Sequence, residues 1–198
     1  MKILNLYAGI GGNRKLWGNE HKITAVENNP EIAEIYKKLF PNDVVIIEDA
    51  HQYLLEHYQE YDFIWSSPPC PTHCRMMNLW NNKSEYPKRY PNMKLYEEII
   101  FLKHFCKCFW VVENVISYYE PLIKPIKSQN HYFWSNFKIP IFKSINRNIK
   151  RGDLKIKEER LGFNLSEFKI SSNLKNEILN NCVSPELGKA ILERVAIK

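Results

Sequence analysis

Long hydrophobic runs are absent from this sequence. No stretch approaches the roughly 20 apolar residues of a membrane span, so no membrane association is expected. The opening MKILNLYAGIGG reaches its glycines too early for a secretory signal, and no small-residue cleavage site follows. The expected setting is therefore soluble and cytoplasmic. Cysteine is scarce and odd in number. The five, Cys70, Cys74, Cys106, Cys108 and Cys182, fit reduced intracellular thiols better than a disulfide framework. Repeats and low-complexity tracts are also lacking.

What is present suffices for one domain. The 198 residues are 44% apolar, an ordinary globular proportion. The net charge of +6 and a pI near 9.0 point to a polyanionic partner. The charge is uneven: from Lys138 to Arg160 there are eight basic residues against three acids. A solvated lysine-rich surface accounts for that run equally well.

Apolar strand-like runs alternate with helix-like segments through the first half. Strands are expected at Ile3 to Tyr7, Ile23 to Val26, Val44 to Ile47, Asp62 to Trp65 and Phe109 to Val112. Helices are expected at Arg14 to Asn19, Pro30 to Phe40, Tyr53 to His57 and Leu95 to Phe105. This alternation implies a doubly wound, mostly parallel α/β sheet covered on both faces. Ligands of such sheets bind beyond the carboxyl ends of the strands. The informative polar residues are therefore Gly9 to Gly12, Glu27, Asp49, Ser66 to Cys70, and Glu113 just past the fifth strand. After Pro121 the pattern changes. HYFWSNFKIPIF (131–142) is β-prone, Leu174 to Leu179 is helical in pattern, and Pro185 opens a last helix.

NLYAGIGG places glycines between a strand and a helix, where a ligand can approach the backbone closely. Its spacing is not the dinucleotide fingerprint, and no Walker lysine accompanies it. Glu27 is placed to accept both hydroxyls of a ribose, and Asp49 to accept from an adenine amino group. An adenosine group without phosphates, such as S-adenosylmethionine, fits this set better than a nucleotide. At the other end, a nucleophilic thiol at Cys70 and a proton-holding carboxyl at Glu113 form a sensible pair across one crevice.

These residues resemble the DNA cytosine-5 methyltransferases, and most closely their short phage-type members. The matching segments run in order: NLYAGIGG, VENNPEIAEIYKKLFP, EDA, DFIWSSPPC, VVENV and NNCVSPELGKAI. The resemblance implies a Rossmann-like methyltransferase domain spanning 1–198. It also implies a reduced target-recognition segment near 138–172 and a C-terminal segment, 173–198, packing back on the catalytic domain. The implied chemistry is methyl transfer from S-adenosylmethionine to C5 of a flipped cytosine in double-stranded DNA, through a Cys70 adduct at C6. Cys70, Glu113 and Asn114 are the implied catalytic residues, with Asn114 bracing the nucleophile loop and Asp62 ordering it. Tyr7, Ala8, Gly9, Gly11, Gly12, Glu27, Asn28, Asp49, Ala50, Pro68, Asn181 and Val183 are the implied cofactor residues.

Pro69, Gln129, His131, Arg147 and Arg151 are the candidate substrate contacts. The family's glutamine-x-arginine-x-arginine motif is not matched as such: SQNHYFW offers Gln129 and His131, with Phe133 at the final arginine. His131 reads slightly better as part of an aromatic cluster. The short recognition segment predicts weak or short sequence specificity, or help from a protein partner or oligomer. Cys70-x-x-His73-Cys74 and Cys106-x-Cys108 have spacings open to thiolate ligation, but no metal is expected. Core packing is expected of Trp65 and Trp110, DNA contact of Trp80, and base-covering loop closure of Met76 to Met93. The alternatives are an RNA cytosine-5 methyltransferase of the transfer-RNA type and an inactive DNA- or cofactor-binding relative. A bacterial or phage-encoded restriction-modification or protective role is the expected context.

Overall fold

The computed structural model describes residues 1–83, 86–143 and 153–196. Arg147 and Arg151, two of the expected substrate contacts, lie outside the described residues. The sheet has seven strands in the order β3-β2-β1-β4-β5-β7-β6. β1 (Lys2–Leu6), β2 (Lys22–Val26), β3 (Val44–Ile46), β4 (Phe63–Ser66) and β5 (Phe109–Val115) run parallel. β6 (Ile126–Ser128) and β7 (His131–Ser135) form a hairpin that adds β7 antiparallel to β5.

The strand residues alternate between two cores, as a two-residue side-chain period requires. Ile3, Phe63, Trp65 and Val111 face one core. Leu4, Leu6, Ile64, Trp110 and Val112 face the other. The second core is covered by α2 (Ala50–His57) and α4 (Lys94–Phe105). α1 (Pro30–Leu39) begins with Asn29 capping the amides of Glu31 and Ile32 and carries proline in its first turn. Trp65 and Trp110 are core residues, as their strand positions predict.

The helix expected at Arg14 to Asn19 does not form; that stretch is a series of turns. Gly18 takes φ +81, and the Arg14 side chain is drawn into a buried ion pair with Asp43 at 2.8 Å. The sheet face is covered instead from the far end of the chain. α7 (Pro185–Ala196) packs Leu187, Ile191, Leu192 and Val195 against Trp17, Ile3 and Phe63. Gly188 permits this closeness, because a Cβ there would lie 2.2 Å from the Asn13 carbonyl oxygen.

α3 (Arg75–Asn81) occupies part of the expected 76–93 loop. α5 (Leu154–Leu161) and α6 (Ser172–Asn180) complete the chain. Leu161, Phe163, Leu165, Ile178 and Leu179 form a third core with Ile10 and Ile35. Residues 154–165 of the basic segment are thus packed on α1 and the glycine loop. No helix among the described residues is long and apolar enough to cross a membrane.

Candidate active site

In this strand order the chain departs in opposite directions after β1 and β4. Their carboxyl ends therefore open a crevice at the switch point. The glycine loop leaves β1 on one side of it and Ser66-Ser67-Pro68-Pro69-Cys70 leaves β4 on the other, with Leu6 paired to Ser66. A cavity of about 180 Å³ sits there, lined by Tyr7, Asn28, Asp49, Pro68, Pro69, His73, Asn92, Lys94 and Leu95. Typical ligand pockets hold about 300–1,000 Å³, so this one takes part of a ligand and the remainder must lie over the open loop. Gly9 suits that: it has φ +54, and a Cβ built on it would meet nothing within 4 Å.

Glu27 closes β2. Its Oε2 accepts from the Gly9 amide and its Oε1 from the Asn29 amide, both at 3.0 Å. A carboxylate has about four acceptor sites, so two remain for ligand hydroxyls. Asp49 caps α2, accepting from Gln52 N–H at 3.0 Å. That bond, helped by Lys94, holds its carboxyl below the usual range. Ala8 is buried and pairs its amide with Val26, Asn28 is exposed at the cavity, and Ala50 is buried at the start of α2. Gly11 packs on Phe40 and Tyr36. Gly12 meets the C-terminal segment, where a Cβ would lie 2.7 Å from Cys182 Cβ and 2.8 Å from the Val183 carbonyl oxygen. Val183 is buried, and Asn181 is exposed at the end of α6. An adenosine without phosphates fits this set: spare carboxylate acceptors, an open glycine, and no basic side chain in the loop.

The nucleophile turn is held at several points. Trp65 Nε1–H donates to Ser67 Oγ at 2.9 Å. Asn114 Nδ2–H donates to the Pro68 carbonyl at 2.9 Å. The Cys70 carbonyl accepts from the amides of His73 and Cys74. The prolines fix their own φ and restrict the residues before them. Cys70 is only partly exposed. Burial, then Glu113, then Cys74 push its thiol up to about 11.

Glu113 lies inside β5, not past its end as expected. β5 continues through Val115 because β7 supplies the ladder partner, with Glu113 opposite Phe133 and Val115 opposite His131. Two residues apart, Glu113 and Val115 share a sheet face, so His131 is a diagonal neighbour of Glu113. His131 Nδ1 lies 2.6 Å from Glu113 Oε1. His131 is therefore paired with the acid and is not merely one ring of an aromatic cluster. Gln129 turns the hairpin at φ +51 and is buried.

Asp62 does not order the nucleophile loop. It stands at the opposite end of β4, accepting from Lys2 N–H at 2.7 Å. Trp80 stacks on Tyr86 at 4.2 Å with the Arg89 guanidinium 5.1 Å from its ring. Cys106 and Cys108 bring their sulfurs to 3.0 Å at the strand-entry end of β5, away from the crevice. Among the described residues no group of three or more His, Cys, Asp or Glu could hold a metal ion.

Sequence reasoning missed the buried Glu98 and its partner His51, and gave His73 no role in the crevice. His73 is buried, and its Nδ1 lies 2.6 Å from Tyr119 Oη. Glu98 is buried in α4 and receives bonds from Tyr7, His51 and Ser66. A signal existed: Glu98 falls on the apolar face formed by Leu95, Ile99 and Leu102, where an acid is out of place.

Residues 1–75 match the family model for C-5 cytosine-specific DNA methylases. A search of curated proteins gave no match. Among solved structures, an Entamoeba histolytica methyltransferase, EhMeth, aligns over 100% of this chain and 99% of its own, at TM-score 0.61 and 12% identity. A Spodoptera frugiperda DNMT2 mutant aligns over 73% of this chain and 53% of its own, at 0.45 and 22%. A putative DNA modification methyltransferase of an Escherichia coli prophage aligns over 78% and 54%, at 0.46 and 16%. The chain spans about half the length of these last two. The first 75 residues thus carry the pattern of the C-5 cytosine-specific DNA methylases, and the whole chain shares the α/β fold of a solved methyltransferase.

Proposed function

We propose that the protein methylates C5 of cytosine in DNA, with the target base flipped into the crevice and bonded transiently to Cys70. The observation that carries this reading is a rigid Pro-Pro-Cys turn that leaves β4 beside Glu113: Ser66 ends β4 opposite Val112, and Asn114, next to Glu113, bonds the Pro68 carbonyl. S-adenosylmethionine is the methyl donor, supplying an electrophilic methyl group at the glycine loop. Tyr7, Gly9, Glu27 and Asp49 would hold it.

Cys70 Sγ adds to C6 of the ring, and the electron pair released toward C5 makes that carbon nucleophilic. Glu113 faces N3 and the exocyclic amine. With burial pushing the thiol up to about 11, the free thiolate is scarce at pH 7. The proton must therefore leave as the base binds. Ionised Glu113 is one of the causes of that high value, so neutralising it favours the thiolate. A proton that leaves Sγ, passes through Glu113 and arrives at N3 balances the addition step. His131 keeps the carboxyl aimed during this exchange, and Asn114 keeps the turn from retreating. After methyl transfer the C5 proton is lost to solvent, the Cys70–C6 bond breaks, and the N3 proton returns through Glu113 to Sγ.

Affinity for DNA comes from the basic segment 138–172 and from Lys94 at the crevice, which contact phosphates without choosing sequence. Target choice is short, or is completed by a partner or a second copy. Labelled methyl transfer to DNA and to RNA tests the reading. Label at C5 of cytosine in DNA, absent with Cys70→Ala, is expected. Label in RNA alone makes the substrate transfer-RNA-like, and label in neither makes the chain an inactive relative.

A further inference from the structure

α4 carries a fully buried carboxylate that the proposed chemistry does not use. Glu98 Oε1 accepts from Tyr7 Oη at 2.5 Å and lies 3.1 Å from His51 Nδ1. Its Oε2 accepts from Ser66 Oγ at 2.6 Å. These three partners stand on three different segments that border the crevice. Tyr7 leads from β1 into the glycine loop. His51 opens α2 beside Asp49. Ser66 ends β4 and leads into Pro68-Pro69-Cys70. A buried carboxylate is costly unless its oxygens are bonded, and here every bond goes to a segment that shapes the site.

Tyr7 adds a second observation. It is a non-glycine residue at φ +54, a conformation that persists only where its surroundings over-determine it. Its ring is anchored by the bond to Glu98, and burial together with that carboxylate raises its hydroxyl far above the ordinary value, so it stays a donor. The chain direction into Gly9 therefore depends on Glu98. The direction out of β4 is tied to Glu98 as well, through the Oγ of Ser66, the last residue of the strand.

We propose that Glu98 is a positioning residue that locks the glycine loop to the Pro-Pro-Cys turn, so that donor binding and Cys70 reactivity are linked through one buried carboxylate. The inference rests on the donor and nucleophile sites assigned above and is independent of the methyl acceptor.

Cross-effects test it, without any acceptor nucleic acid. Ser66→Ala, on the nucleophile side, is expected to weaken S-adenosylmethionine binding by about fivefold or more in calorimetry. Tyr7→Phe, on the donor side, is expected to change the rate of Cys70 alkylation by iodoacetamide by a similar factor. Glu98→Gln turns one acceptor oxygen into a donor, and in that background neither substitution should act across the crevice. Unchanged circular dichroism and Tm would confirm folding. If Glu98→Gln fails to fold, the two single substitutions decide alone. Substitutions that act only on their own side, or that add fully in the Glu98→Gln background, would overturn the proposal. A failure to methylate DNA would overturn the acceptor assignment and leave this result standing.

Discussion

His131 Nδ1 and Glu113 Oε1 meet at 2.6 Å across the β5–β7 ladder. A histidine on the neighbouring strand thus holds the acid. Because the two residues sit on paired strands, the contact is built by strand register. His131→Ala leaves Glu113 unaimed, and misplacement of a reacting group by about 1 Å costs about 10²-fold in rate. Steady-state kinetics should show that loss mainly in kcat, with DNA affinity nearly unchanged. An equal loss in affinity and none in kcat would make His131 a DNA contact instead.

Glu113→Gln should have opposite effects on two measurements. Removing the carboxylate charge removes one of the causes that raise the Cys70 thiol, so its pKa falls and iodoacetamide alkylation at pH 8 becomes faster. Methyl transfer should fall by about 10²–10⁴-fold, the usual worth of a positioned acid–base group. In the unsubstituted protein alkylation should climb with pH toward about 11, as the thiol finally ionises.

Asp43→Ala should unfold the protein readily. Asp43 takes two bonds from Arg14, at 2.8 and 3.0 Å, and a third from Tyr36 Oη at 2.8 Å. Removing one partner of a buried pair leaves an uncompensated charge and costs about 3–5 kcal/mol. An unfolding free energy from denaturant titration within about 0.5 kcal/mol of the parent, the scatter of neutral surface changes, would contradict the burial of this pair.

Gly12→Ala tests the closure of the C-terminal segment on the glycine loop. The added Cβ meets a side chain and a backbone carbonyl under 3.0 Å, neither at the end of a flexible chain. A loss of about 1–3 kcal/mol in stability is expected, together with weaker S-adenosylmethionine binding in calorimetry. Unaltered stability and binding would mean that the 181–183 segment is not held there.

Much of this architecture is legible in the sequence because it is local. The apolar runs that become β1 to β5, the glycines after β1 and the acids after β2 and β3 announce themselves within a few residues. The Pro-Pro-Cys turn does the same. What escapes is set by distant partners. The stretch after Gly12 forgoes its helix because α7, about 170 residues later, covers that face. Glu113 lies within its strand because β7 extends the ladder. Asp62 carries strand context but sits at the wrong end to touch the nucleophile loop. Glu98 looks like one more acid on a helix until its three donors converge on it from separate loops.

The central claim is that Cys70 bonds to C6 of a cytosine in DNA. Duplex DNA carrying 5-fluorocytosine tests it most directly, because fluorine cannot leave as the C5 proton does and the adduct is held after methyl transfer. With S-adenosylmethionine present, the account predicts a denaturation-resistant one-to-one protein–DNA complex, with the crosslinked peptide containing Cys70, and none with Cys70→Ala. Methylated cytosine produced by Cys70→Ala, or a crosslink at another residue, would contradict it.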